Sequence, residues 1–240
     1  MAHSLQKEHV NRFWRIVIVL SGIAAVLAGT AVLFCNQPGI IPRPTTGARD
    51  GFSVEEMAQI EDGDIVLRKG VGTISDFIVI GLGGGLNVSH CAMVVRHADG
   101  PWAVHTLNGS LTGVDGVQSQ PVSEFNRYTE PGTLAVLRPL WKNAEQKGRA
   151  IAKLQELLKA NIPFDNNYNL EDRSRLYCSE LLVQAMESAG FYPKNFKYDN
   201  VMGVLSFTMF MDPSRYKLVL SHNPGVRARM DKLAQGLPQP

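Results

Sequence analysis

The chain has 240 residues, 45% hydrophobic and 19% charged, with a formal net charge of +2; this is globular composition with enough chain for one sizeable core. It excludes disorder over most of the length, and basic residues spread along the chain rather than in a stripe leave no nucleic-acid partner supported. Three cysteines, Cys35, Cys91 and Cys178, are neither even in number nor set in a Cys-x-x-Cys pair, which argues against a disulfide framework and against thiol-based zinc or redox exchange.

From Ile16 to Cys35 there are twenty residues without a charge, and a helix of that length crosses a hydrocarbon core of about 30 Å. Lys7, Arg12 and Arg15 precede it and Phe13 and Trp14 sit at its boundary, so residues 1–15 are expected in the cytoplasm by the positive-inside rule. Two readings compete: Gly29-Thr30-Ala31 as a signal-peptidase site, and Cys35 as a lipidated cysteine after cleavage. Val32-Leu33-Phe34 continues the apolar run, and bulky Phe34 stands where lipoprotein processing requires a small residue. An uncleaved transmembrane anchor over residues 16–35 is the expectation, with the rest of the chain outside.

Residues 36–53 carry Pro38, Pro42, Pro44, Gly39, Gly47 and Gly51, a composition that disfavours helix and central strand and reads as a linker. A folded domain is expected over residues 54–220, followed by a polar, weakly helical tail over 221–240 bounded by Pro224 and Pro238. Within the domain, Asp64 to Arg68 reads as a strand, Thr73 to Ile80 as a short helix, and Gly81 to Leu86 as a flexible loop lacking the spacing of a dinucleotide fingerprint. Ser89 to Val95 and Trp102 to Leu107 read as a hairpin, and Thr133 to Leu137 as a further strand. Lys142 to Ala160 is helical by pattern, with Ile151, Leu154, Leu157 and Leu158 on its apolar stripe. Tyr177 to Ala189 is the next helix: Cys178, Leu182, Ala185 and Ala189 share its inward face, Gly190 caps it and Pro193 stops it.

A cysteine in the first turn of a helix feels the positive end of the dipole, which favours thiolate. Thiol catalysis also needs a histidine base and a group to orient it. His90 shares a strand face with Ala92 and Val94, and His105 shares one with Ala103. A hairpin centred between His97 and Ala98 would oppose the two histidines directly; a tight Asp99-Gly100 turn would oppose His105 to Val94 instead. Cys91 alternates to the face opposite His90 and reads as a buried thiol. His3, His9, His97 and His222 are poorly placed for this chemistry.

Asp62-Gly63-Asp64-Ile65-Val66-Leu67, then Ser89-His90-Cys91-Ala92-Met93-Val94-Val95, then Tyr177-Cys178-Ser179-Glu180-Leu181-Leu182 resembles the YiiX-like papain-fold amidases. These form a circularly permuted branch of the NlpC-type cysteine peptidase superfamily, related to lecithin retinol acyltransferase, in which the histidine strand precedes the cysteine helix. The match spans Asp62 to Gly190. It implies an α+β, permuted papain-like fold with an antiparallel sheet and packed helices, Cys178 as nucleophile, His90 as general base, and His105 in the third, orienting position, where many relatives have a glutamate. Pro163 to Tyr168 is similar to the family's segment before the cysteine helix and reads as a structural turn or pocket wall.

The expected activity is hydrolysis of an amide through an acyl-enzyme, on a cell-wall peptide, an N-acylated amino acid or a lipid amide, with the backbone N–H of Cys178 as oxyanion donor. No metal or organic cofactor is implied. Alternatives are thioester-based acyl transfer and an inactive envelope-binding module. The expected location is a bacterial inner membrane, single-pass, with the catalytic domain facing the periplasm or outside.

Overall fold

The computed structural model describes residues 51–236; the expected anchor and nearly all of the linker lie outside them. No helix among the described residues is long and apolar enough to cross a membrane.

Six strands form one antiparallel sheet: β1 (Ile65–Arg68), β2 (His90–His97), β3 (Gly100–Leu107), β4 (Gly116–Pro121), β5 (Ala135–Pro139) and β8 (Tyr216–Ser221), in the order β4-β3-β2-β1-β5-β8. A small hairpin, β6 (Asn200–Val201) with β7 (Val204–Leu205), stands apart from it. The helices are α1 (Val54–Gln59), α2 (Thr73–Leu82), α3 (Gly109–Thr112), α4 (Val122–Asn126), α5 (Ala144–Lys159), α6 (Cys178–Ser188) and α7 (Pro224–Ala234).

Both faces of the sheet are covered, which is why all four residues of β1 are buried rather than alternating with solvent. One face carries Ile65, Leu67, Cys91, Met93 and Val104 against Leu154 and Leu157 of α5 and Leu181, Leu182 and Ala185 of α6. The other carries Val66, Ala92, Val94, Ala103 and Val136 against Ile60, Val122 and Phe125. Each large side chain sealed in this way contributes about 1.5–3 kcal/mol of apolar burial.

The strands and the three longer helices expected over 64–189 are present, with ends moved by a few residues. The hairpin register differs from both alternatives read from the sequence: His97 pairs with Gly100 across a two-residue Ala98-Asp99 turn, and Met93 pairs with Val104. His90 and His105 therefore meet on the diagonal, on one face, without the wider loop. The polar segment after Leu220 is, over Pro224–Ala234, helix α7, capped by Asn223 and holding Val226 and Met230 in the core. Its packing rests on Val226 and Met230, with Leu233 partly buried against the same core, a short stripe interrupted by charged residues that is too faint to mark a packed helix.

Candidate active site

Three elements bring the chemistry together. β1 ends in Arg68, which pairs with His90 at the start of β2. His105 lies on β3, and the loop before α6 delivers Cys178. That loop is tied down from several sides: Thr106 Oγ1 donates to the Leu176 carbonyl at 3.2 Å, and Leu176 N–H donates to the Pro163 carbonyl at 3.0 Å. Asp165, 1% exposed, accepts from the N–H groups of Asn167 and Asn169. Pro163 to Tyr168 thus includes a carboxylate-organised turn, and it aims the start of α6. At the far side, Tyr177 Oη accepts from Leu205 N–H at 3.0 Å.

His90 and His105 are brought into contact. Nε2 of His90 lies 3.0 Å from Nδ1 of His105, the rings meet edge to face, and both pack on Phe125. One nitrogen of the pair is the donor and the other the acceptor, according to tautomer. His105 is fully buried and its Nε2 has no partner. Burial, then the Arg68 charge, lowers the His105 pKa to about 3. His90 is held well below its usual value by burial first, then by Arg68 and His105. Both imidazoles are neutral at physiological pH.

Cys178 sits in the first turn of α6, partly buried and packed against the α6-side cluster. Its N-cap, Tyr177, makes no side-chain cap, so first-turn N–H groups remain available to an anion. The thiol pKa is lowered, first by a hydrogen bond from the Cys91 side chain and, against the cost of burial, by the backbone N–H groups of Cys91, Ser179 and Cys178 itself. Cys91 is fully buried, and burial followed by its contact with Cys178 pushes its own thiol well up. Cys91 is therefore the proton-bearing partner and Cys178 the acidic one. As expected, Cys91 faces away from His90; that places it on the face packed by α6, beside the nucleophile candidate. Cys178 makes no hydrogen bond with either imidazole among the described residues.

Two further residues belong to this region and were not singled out from the sequence. Arg68 is 4% exposed; its guanidinium lies 4.3 Å over the Phe125 ring and Nη1 donates to the Tyr128 carbonyl at 2.6 Å, while Nε is buried without an acceptor. Glu180, in the first turn of α6, has its pKa raised to about 7, by burial first, with Asp165 adding to it. The available signal for Arg68 was its position two residues after inward-facing Val66, which puts a cation on a core face.

The sheet, the helix bearing Cys178 and the histidine strand ahead of it in sequence define a permuted papain-like protein. The family model for permuted papain-like amidase enzymes, YaeF/YiiX, C92 family, matches residues 59–218, more than half of the chain, and the chain belongs to that family of papain-like cysteine amidases. Among solved structures it is similar to one described as metalloprotein yiiX from Escherichia coli O157:H7, with a TM-score of 0.55 and 19% identity over 69% of this chain and 99% of that one; at that identity the likeness shows the fold. No curated protein matches. Among the described residues no group of three or more His, Cys, Asp or Glu side chains is placed to hold a metal ion.

Proposed function

We propose that the protein hydrolyses an amide bond in a cell-envelope peptide, an N-acylated amino acid or a lipid amide through a Cys178 acyl-enzyme. The observation that carries this is Cys178 in the uncapped first turn of α6, where its thiol pKa is lowered first by Cys91 and, against the cost of burial, by neighbouring backbone N–H groups. In this reading the backbone N–H groups of Cys178 and Ser179 receive the oxyanion of the tetrahedral intermediate. His90 acts as base: with Nε2–H donating to His105 Nδ1, its own Nδ1 is a free acceptor. The thiol proton passes to His90 as sulfur attacks the carbonyl, and the resulting imidazolium protonates the departing amine. Water then attacks the thioester, giving the acid and restoring Cys178. Because the resting thiol is hydrogen-bonded to Cys91 rather than to His90, this sequence requires the two groups to close on each other when substrate enters, as catalytic contacts commonly do.

The hydrolase domain is proposed to face the periplasm or outside of a bacterial inner membrane, tethered by residues 16–35. Mass spectrometry of the protein after incubation with envelope extract is the test: an acyl adduct on the Cys178 peptide is expected, lost in Cys178→Ser, with turnover abolished in folded His90→Ala. An adduct on Cys91 instead, or full turnover in either variant, removes the assignment.

A further inference from the structure

From Phe77 onward helix α2 carries no polar side chain, yet none of its residues is buried. Ile78 and Leu82, one turn apart, pack partly on the core, while Phe77 and Ile80 on the outer flank are 69% and 82% exposed. A helix apolar on both flanks is ordinarily enclosed. The β6–β7 hairpin lies against α2 and adds Val201 and Met202 at its tip, the latter 98% exposed. Four of the eight large exposed apolar side chains among the described residues thus stand on two adjoining elements, while Val54, Val114, Leu140 and Tyr168 lie elsewhere in the chain. Apolar residues exposed singly are ordinary, whereas a contiguous set marks a surface that is covered in use.

The turn chemistry points the same way. Met202 (φ 53°) and Gly203 (φ 85°) form the two-residue hairpin turn in the left-handed region, where asparagine or aspartate before glycine is the ordinary choice. A methionine there is strained and gains no packing in water. The acidic groups of this surface are engaged: Asp76 pairs with Lys69 at 2.7 Å, and Asp199 accepts from Thr208 Oγ1. Exposed Lys194 and Lys197 lie on the segment leading to β6. Apolar groups flanked by lysines suit a bilayer with anionic headgroups. The charge-free run proposed as the anchor ends at Cys35, and residues 36–50 separate it from the described domain, a stretch that spans at most roughly 50 Å. A domain on so short a tether meets lipid at high effective concentration. We infer that α2 and the β6–β7 tip form a docking surface for the lipid bilayer, with Phe77, Ile80 and Met202 entering the boundary between headgroups and acyl chains. The surface is joined to the site: Ser206 Oγ donates to the Leu82 carbonyl at 3.0 Å, and Leu205 N–H donates to Tyr177 Oη at the start of α6. Docking stands on the surface and the proposed tether; its consequence, that Cys178 meets amides carried at the lipid surface, rests on the hydrolase reading.

The test uses the full chain reconstituted in vesicles of phosphatidylethanolamine and phosphatidylglycerol and needs no substrate. The photo-crosslinking residue p-benzoylphenylalanine replaces Phe77, Met202 or, as a control, Leu140, which is also exposed but lies just beyond β5, at the end of the sheet opposite α2. Each variant is checked by its melting curve, and adducts are mapped by mass spectrometry of peptides after irradiation. Lipid adducts should be roughly tenfold more frequent at positions 77 and 202 than at position 140. Should either variant fail to fold, position 80 takes its place. Phe77→Glu combined with Met202→Glu should remove most of the lipid adducts formed by a crosslinker at position 80. Lipid adducts as frequent at position 140, crosslinks to a second copy in place of lipid, no lipid adduct at either position, or full adduct yield in the double variant overturns the inference. Retention of the chain on carbonate-washed vesicles reads the anchor, and turnover of the Cys178 variants reads the hydrolase assignment, so each can fail without the others.

Discussion

The two ends of β1 carry buried charge in opposite ways. At its start, Asp64 is fully buried and closed on all sides: it accepts from Arg138 Nε at 2.8 Å, Arg138 Nη2 at 2.9 Å and Glu61 N–H at 2.8 Å. Glu61 also pairs with Arg138, and the Gln59 carbonyl accepts from the same guanidinium. At the other end of the strand, Arg68 has a carbonyl and an aromatic face but no carboxylate among the described residues. A buried charge with every bond made holds a fold together; one left with bonding capacity beside the histidines is available to chemistry. Arg138 and Arg68 are the same residue type on neighbouring strands, so their difference lies in what surrounds them.

The largest expected effect breaks the closed end. Arg138→Ala should cost about 3–5 kcal/mol, because it strands the Asp64 carboxylate in the interior; a loss under about 1 kcal/mol in denaturant unfolding would show that the paired end is not structural.

Next in size is the pH dependence at the open end. His90 and His105 have depressed pKa values in the fold, so between their folded values and about 6.5 the unfolded chain binds more protons, and stability falls as pH drops below about 6.5. Glu180, raised to about 7, has the opposite sign: between its unfolded value of 4.5 and about 7 the folded chain holds the extra proton, so it lessens the acid loss and costs stability above that window. Glu180→Gln should therefore steepen the decline between about pH 4.5 and 6.5 by about one proton's worth, ~1.4 kcal/mol per pH unit. Thermal melts of both proteins across pH check this, and parallel curves would contradict it.

The smallest effect is the sharpest test of the comparison. Arg68→Met, which replaces an uncompensated buried cation by an apolar chain of similar reach, should change stability by no more than about 1 kcal/mol in either direction. A loss as large as that of Arg138→Ala would make Arg68 a structural residue like its counterpart.

Much of the molecule was legible before folding was considered. Cys178 in the first turn of a helix followed from apolar spacing at Leu182, Ala185 and Ala189, and the histidine strands followed from β-branched runs and the Asp99-Gly100 turn signal, because these patterns are local and repeat with a fixed period. The order of histidine strand and cysteine helix, with the motifs around them, identified the family. β4 and β8 were missed: β4 (Gly116–Pro121) has little apolar content, and an edge strand beside a covered sheet need not alternate.

The sequence by itself determined which residue types stood ready for thiol chemistry and on which elements, since strand alternation and helix spacing are properties of the chain alone. Only the tertiary structure decided their mutual arrangement. Hairpin register depends on the turn that closes it and on the side chains packed across the sheet, so it alone set His90 Nε2 within 3.0 Å of His105 Nδ1. Packing of α6 on β2 put Cys91, rather than an imidazole, against the Cys178 sulfur. The burial of Arg68 depends on Phe125 from α4 and Tyr128 just beyond it, about sixty residues away in sequence. No local pattern encodes a charge left without a carboxylate, because that is a property of everything packed around it.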